Sequence, residues 1–346
     1  MIADIPRGCE ICLRGAKLVL FVTGICDKSC FYCPLSERRR GIDVVFADEA
    51  EVERDLDVIL EARSIDAEGT GITGGDPILR VAKVVRYVKL LKGFFGKDHH
   101  IHLYTNGRHV TEDILLRLRD AGVDELRFHP ERRDWGKIAM AKQMGFTAGA
   151  EMPAMPGGNE LLRELVEYLT WIGADFLNLN QLEFCPQNAH QMKQRGYVLD
   201  KGGMVSVEGS GETAMSIVHW ASENGMEIPI HYCPSSVKDA VQTKMRLIRR
   251  GRNVARPYET MDEEGLLCKL TVEMGLGNDH CKVAARELAC RMSVPLWSVG
   301  AHHSGRYLEA PTSMLGRVRK AAPQARLCHV KEYPTALRER FRVFSS

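Results

Sequence analysis

The stretch "GICDKSCFYCPLSERRRG", residues 24–41, holds Cys26, Cys30 and Cys33 within eight residues, directly after the apolar run "AKLVLFVTG" (16–24). Three thiolates on one short loop are one fewer than a closed metal site uses. A [4Fe–4S] cube is held by cysteine thiolates, so three of them leave one iron open to a small molecule. A zinc ion completed by a remote cysteine or histidine is the alternative that the spacing leaves standing.

The run before the loop is apolar and β-rich, which reads as a buried strand. Strands and helices alternate from there. A polar stretch over 48–67 carries Val52, Leu56, Ile59 and Leu60 at helical spacing. Strand "GTGIT" (69–73), a helix over 78–95, strand "HIHLYTNG" (100–107), a helix over 111–121, strand "DELRFH" (124–129) and a helix over 132–144 follow. "FTAGAEMP" (146–153), a helix over 158–172, "DFLNLNQLEF" (175–184), a helix over 211–224 and "MEIPIHYC" (226–233) complete the series. Alternation at this spacing implies parallel βαβ units. The expected fold class is α/β, a partial or full (βα) barrel with its chemistry at the C-terminal ends of the strands. Asn178 and Asn180 alternate with leucines, so both are expected to point into that barrel.

Beyond about residue 253 the pattern changes. "GLLCKLTVEMG", "LWSVGAHHSG", "RYLEAPTSML" and "QARLCHVKEY" look like short strands around one helix, "DHCKVAARELACRM" (279–292). The domain reading is a CxxC segment over 1–15, a barrel over 16–253 and a small α+β C-terminal domain over 254–346.

The 346 residues are 45% apolar and 27% charged, with a net charge of +2. That is an ordinary globular composition, with no bulk charge favouring nucleic acid or membrane. No apolar run approaches the ~18 residues of a membrane span, and "MIADIPRGCEIC" lacks a signal-peptide core. The expected location is the cytoplasm. Eleven cysteines are many for a reducing compartment, where disulfides are not expected, so close pairs point to metal or cluster ligation.

Three further features stand at strand ends in order: Tyr32 immediately before the last cysteine, "ITGGDP" (72–77) and "YTNG" (104–107). Glycines there let backbone approach a ligand closely. Over about residues 16–185 this order resembles the radical S-adenosylmethionine (SAM) superfamily. Its signature is C-x3-C-x-aromatic-C followed by a GGE-like loop; Asp76 stands here where Glu is commoner. The resemblance implies that Cys26, Cys30 and Cys33 bind three irons of a [4Fe–4S] cluster and that SAM chelates the fourth. It implies Tyr32 near the adenine, Gly74, Gly75 and Asp76 at the methionyl amine, and Thr105 and Asn106 near the ribose or sulfonium. Arg127 and Glu151 would contact the SAM carboxylate and ribose, with an ordinary strand-end ion pair as the alternative. It also implies reduction by a donor such as ferredoxin or flavodoxin, cleavage of SAM to a 5′-deoxyadenosyl radical, and hydrogen abstraction from a substrate.

The wider match, "GAKLVLFVTGICDKSCFYCPLSE" followed by "TGGDP", resembles an archaeal group related to pyruvate formate-lyase activating enzyme. That likeness, together with the basic stretches "LSERRRG" (35–41) and "MRLIRRGR" (245–252), leans toward a protein or RNA substrate. Arg246, Arg249 and Arg250 have helical spacing and would give a positive face. A small metabolite is the alternative substrate. A non-catalytic iron–sulfur or zinc-binding protein is the competing class.

"GCEIC" supplies Cys9 and Cys12, while "EFCP" and "HYCP" supply Cys185 and Cys233 in one shared context at strand ends. Together they would suffice for a second [4Fe–4S] cluster; zinc on the same ligands, or unligated thiols, are the alternatives. Reach is the difficulty, because Cys9 and Cys12 precede the first strand and four extended residues span only ~13 Å. Cys268, Cys281, Cys290 and Cys328 sit in apolar contexts and read as core. His302 and His303 in "GAHHSG" read as a surface turn or as acid–base groups.

Overall fold

Apolar residues at every second position of successive strands need a cover of helices on one face of a parallel sheet. The computed structural model, which describes residues 5–274 and 280–345, shows that arrangement. Met1–Asp4, Gly275 and Asp279, at the ends of expected segments, lie outside the described residues. The chain divides into two units, Met1–Arg63 with Ala67–Thr243, and Ser64–Asp66 with Lys244–Ser346.

The first unit begins with helix α1 (Arg7–Leu13), strand β1 (Lys17–Phe21), the short pair β2 (Phe46–Ala47) and β3 (Ala50–Glu51), and helix α2 (Asp55–Ser64). Then come β4 (Gly69–Thr73), α3 (Val81–Phe95), β5 (His100–Thr105), α4 (Glu112–Ala121), β6 (Glu125–Phe128) and α5 (Gly136–Gln143). It continues through β7 (Thr147–Ala154), α6 (Asn159–Trp171), β8 (Leu177–Gln181), α7 (Ala189–Gln194), α8 (Ser210–Glu223) and β9 (Ile230–Cys233). A short helix α9 (Ser235–Val237) runs into a π-helical turn, Lys238–Thr243. The sheet order is β3-β2-β1-β4-β5-β6-β7-β8-β9, parallel from β1 through β9 apart from the antiparallel β2–β3 edge. Among the described residues β1 and β9 do not pair, so the barrel is partial rather than full. Local signals set the element ends. Thr111 caps α4 by accepting a hydrogen bond from Ile114 N, and Gly122 ends it in the left-handed conformation at φ 105°.

The face of α2 differs from expectation. Leu56 and Leu60 are 53% and 52% exposed; Ile59 is buried as expected, and Val58 and Ala62 are buried beside it. The chain before α2 is used by the β2–β3 edge, which shifts the helix start to Asp55 and rotates the inward stripe.

Strand alternation divides the barrel sharply. Leu18, Leu20, Ile72, Ile101, Leu103, Leu126, Phe128, Leu177 and Leu179 are buried under the helices. The opposite face carries Lys17, His102, Tyr104, Arg127, Glu151, Asn178, Asn180 and His231. Barrel interiors are ordinarily filled with branched apolar layers; this one is polar. Its centre is Arg127, 3% exposed, with Nε donating to Glu125 Oε1 at 2.6 Å and Nη1 to Glu151 Oε2 at 3.0 Å. Asn178 and Asn180 do point inward, donating to Glu151 at 3.2 and 2.8 Å. Helix α1 sits beneath the first residues of β4 and β6. Gly8 N donates to Glu125 Oε2 at 3.3 Å, and a Cβ on Gly8 would stand 2.6 Å from both His102 Nδ1 and Arg127 Nη2.

The second unit opens with α10 (Lys244–Val254) and builds an antiparallel sheet from β10 (Thr260–Met261), β11 (Leu267–Glu273), β12 (Gly300–Ala301), β13 (Leu308–Ala310), β14 (Arg326–Glu332) and β15 (Arg340–Ser345). Helices α11 (Cys281–Arg291) and α12 (Leu315–Ala321) pack on it through Leu270, Leu288, Val318 and Leu327. Cys281 is buried there, but Cys290 is exposed, against the core reading. The basic helix is also used internally. Arg249 donates to Ile65 O, and Arg250, 7% exposed, donates to Pro334 O and Ser64 Oγ. His302 stacks on Tyr307 at 4.2 Å in the turn between β12 and β13.

Removing Arg127 leaves Glu125 and Glu151 as uncompensated buried carboxylates. Arg127→Met is expected to lower unfolding stability by ~3–5 kcal/mol, measured by urea denaturation against wild type. Loss of under about 1 kcal/mol would show that the pair is not buried as described.

Candidate active site

The cysteine loop is fixed by its ends before its side chains matter. Gly24 N donates to Ile42 O at 2.8 Å and Gly41 N returns a bond to Gly24 O at 2.8 Å. These close the base of the loop. A second clamp comes from the turn after β4. Gly75 N donates to Thr23 O at 2.7 Å and Asp76 N to Ile25 O at 2.8 Å. A Cβ on Gly74 or Gly75 would stand 2.3 Å from the Thr23 or Ile25 carbonyl oxygen. Both glycines are therefore required by this close approach of backbone to backbone. A third clamp is Asp27, which accepts from Asn106 Nδ2 at 3.0 Å, Arg108 Nη1 at 3.0 Å and His109 Nε2 at 2.8 Å. Burial pulls the Asp27 carboxyl upward, but these three donors outweigh it and hold it down at about 2.

So held, Cys26, Cys30 and Cys33 line one cavity of about 430 Å³ at the C-terminal ends of β1, β4 and β5. Tyr32, Gly74, Gly75, Thr105 and Asn106 stand on the same wall. Asp76 does not. Its carboxylate is fully buried, accepts from Ile78 N at 3.1 Å as a helix cap and receives the Thr105 hydroxyl at 3.0 Å. Arg127 and Glu151 also lie off this wall; they line two smaller cavities deeper in the barrel. Of the second cysteine set, Cys9, Cys12 and Cys233 share one of these and Cys185 lines the other.

The donor set suits the group that the motif implies. Three soft sulfur donors lie on one accessible wall, and the volume falls in the ~300–1,000 Å³ range of small-ligand sites. Among the described residues no three Cys, His, Asp or Glu side chains are placed to hold a single metal ion.

Comparison with known proteins bears directly on this site. The profile of the radical SAM superfamily matches residues 20–133, from β1 through the cysteine loop and the Gly74–Gly75 turn to the end of β6. A Methanocaldococcus jannaschii protein, provisionally described as a glycyl-radical enzyme activating enzyme, is 38% identical over 277 residues, covering 77% of this chain and 72% of the relative. The chain belongs to the radical SAM superfamily. It is a radical SAM enzyme, and membership implies a [4Fe–4S] cluster and SAM as cofactors. Among solved structures, Streptococcus suis SuiB bound to precursor peptide SuiA aligns with a TM-score of 0.46 at 12% identity, over 65% of this chain and 50% of that one. Escherichia coli coproporphyrinogen III oxidase, described as a radical SAM enzyme, aligns with a TM-score of 0.39 at 13% identity, over 64% and 57%. The chain thus spans roughly half the length of these two structures.

The sequence reading of this radical SAM enzyme missed His129 and Tyr104, which stand on the wall between the upper and middle cavities. The Tyr32 hydroxyl lies 2.6 Å from His129 Nε2, and His129 Nδ1 lies 3.0 Å from the Glu151 carbonyl. A carbonyl only accepts, so Nδ1 carries the proton and Nε2 accepts from Tyr32. Burial keeps this imidazole below its usual pKa, hence neutral. The only signal in the sequence was that His129 follows Arg127 at the same strand parity.

Two outcomes are expected. Gly75→Ala forces the clamp apart and should reduce iron retained after anaerobic purification severalfold, with stability falling by roughly 1–3 kcal/mol. Near-wild-type iron would show that the turn does not hold the loop. For Asp27, a lowered folded-state pKa means that its contribution is present above the ordinary value of 3.8 and is lost as pH falls through about 2. The difference in Tm between wild type and Asp27→Asn should therefore shrink over that interval, and a constant difference would refute the clamp.

Proposed function

We propose that this enzyme uses the cysteine-lined cavity to bind cluster and SAM and abstracts hydrogen from a polypeptide substrate, activating or modifying a protein. In this reading Cys26, Cys30 and Cys33 hold the cluster, Gly74 and Gly75 meet the methionyl amine, and Tyr32, Thr105 and Asn106 border the adenosine. Asp76 acts by position, capping the helix after the glycine turn and fixing Thr105. Reduced by an external donor such as ferredoxin or flavodoxin, the bound pair supplies a 5′-deoxyadenosyl radical. The remaining work belongs to the chain: hold the substrate's C–H bond against that cavity and exclude water.

The observation that carries the reading is the middle cavity of about 320 Å³, which shares Tyr32, Pro34, Tyr104 and His129 with the cysteine-lined cavity above it. Its wall is rich in amides and charges: Asn180, Gln181, Asn188, Arg127, Glu151 and Lys238. Several are held in place by other groups. Gln181 Oε1 accepts from Ser235 N and Oγ, both at 2.9 Å, and Asn188 Nδ2 donates to Tyr32 O at 3.0 Å. Such fixed amides suit hydrogen bonds to peptide backbone. The description of the archaeal relative points the same way. The inward use of Arg249 and Arg250 takes two of the three arginines off the basic helix face that leaned toward RNA. A small polar metabolite is the second reading, favoured by a cavity volume suited to one.

No disulfide joins any of the eleven cysteines, and no helix among the described residues is long and apolar enough to cross a membrane. We propose the reducing cytoplasm, where cysteines outside disulfides are usual, as its location.

The test is isotope transfer. Reconstituted enzyme, SAM and dithionite are incubated with protein, nucleic-acid or metabolite fractions from deuterium-grown cells, and 5′-deoxyadenosine is weighed by mass spectrometry. Deuterium from the protein fraction alone is expected, and His129→Ala should lower transfer by roughly 10²-fold or more. Label from the metabolite fraction alone would establish the second reading. Failure of wild type to cleave SAM would overturn both.

A further inference from the structure

The deepest cavity of the barrel, about 240 Å³, is lined by Cys9, Cys12, His231 and Cys233. Helix α1 sets Cys9 and Cys12 three residues apart on one face. Strand β9 sets His231 and Cys233 two apart on the inner face of the sheet. The reach that seemed marginal in extended chain is met because α1 lies under the strand starts, and its sulfurs look up into a hollow interior. Cys185 is not among them; its amide is held by Asn188 Oδ1 at 2.8 Å beside the neighbouring cavity.

We propose that Cys9, Cys12, Cys233 and His231 form a second metal centre that holds an iron–sulfur cluster, separate from the one at Cys26, Cys30 and Cys33.

The argument rests on what surrounds each sulfur. Arg127 Nη1 and Asn178 Nδ2 approach Cys9 Sγ at 3.3 and 3.5 Å. Gln242 Nε2 approaches Cys233 Sγ at 3.6 Å. Half-buried Lys17 lines the same cavity as Cys12. A neutral thiol is a weak acceptor, yet Cys9 receives two N–H donors, one of them a cation, and Cys233 receives a third, while a lysine shares the cavity with Cys12. That is the outer shell of anionic, metal-bound sulfur. The π-helical turn after β9, a rare element concentrated at functional sites, brings Lys238 and Gln242 over the same cavity. On the cavity wall, Arg127 Nη2 and Asn178 Oδ1 are buried without a hydrogen-bond partner. Glu151 is occupied by Arg127 and both asparagines, so the ligand set is sulfur and imidazole. A cube spreads its ligands over four corners.

The experiment removes the upper cluster with Cys26/Cys30/Cys33→Ala and measures iron, sulfide and zinc after anaerobic reconstitution, with EPR of the reduced state. Expected are about four irons and four sulfides per chain, a [4Fe–4S]-type signal, loss of both on adding Cys9→Ala and Cys12→Ala, and retention on adding Cys185→Ala. His231→Ala should keep the sulfide and change the EPR g-values. Should the triple variant misfold by circular dichroism, the comparison moves to the intact chain. There, Cys9→Ala/Cys12→Ala should fall from about eight irons to about four. A folded triple variant without iron, one zinc per chain in its place, or loss caused by Cys185→Ala instead of Cys9→Ala overturns the proposal. This result does not depend on which substrate the enzyme takes.

Discussion

One buried cation organises the interior of the barrel. Burying a guanidinium is costly unless paired charges and hydrogen bonds surround it. Arg127 meets that condition by drawing Glu125 from its own strand, Glu151 from β7, the Tyr104 hydroxyl from β5 and the Cys9 sulfur from α1. Glu151 extends the network to β8 through two asparagines. Five elements thus share one electrostatic centre. An apolar filling would leave these groups without partners, so the same network keeps the barrel hollow. Cavities above and below Arg127 are a consequence of its charge.

At the upper rim the chemistry-bearing side chains are placed by backbone. The cysteine loop is pinned at its base by Gly24 and Gly41, along its first residues by Gly75 and Asp76, and through Asp27 by the segment after β5. Each clamp joins neighbouring strand ends. The sheet therefore sets the position of the loop, and beyond the Lys28 N–H that Cys26 Sγ accepts, the clamps are made by backbone and by Asp27 and not by the thiols. Asp76 illustrates the division of labour, since its side chain faces away from the cavity and its amide does the clamping.

The upper site was legible in the sequence because its parts are local. Cys26, Cys30 and Cys33 share one loop, and two glycines in a row after a strand report a tight backbone approach directly. The strands were legible because their apolar positions alternate against a helical cover. Arg127 and Glu151 were visible as strand residues with an ion pair as one of two readings, and the fold shows that pair, but alternation does not specify the stagger between β6 and β7 that makes it. His129, Tyr104 and His231 carry no local mark; only register places them on a cavity wall. Helix α1 escaped because seven residues show too little periodicity, and without it Cys9 and Cys12 had no direction. Leu56 and Leu60 misled because an apolar residue need not be inside.

The distance in sequence between α1 and β9 has a consequence for biosynthesis. Cys12 and Cys233 are 221 residues apart. At ~5–20 residues per second on the ribosome, two sulfurs wait on the order of 10–45 s for their partners to be made. The loop thiols, by contrast, emerge together within ~0.4–1.4 s at that rate. The lower set is completed only when translation has passed the last strand of the barrel. Loading of the proposed lower centre would therefore come late, on a nearly finished chain, whereas the upper loop is available while the chain is still growing.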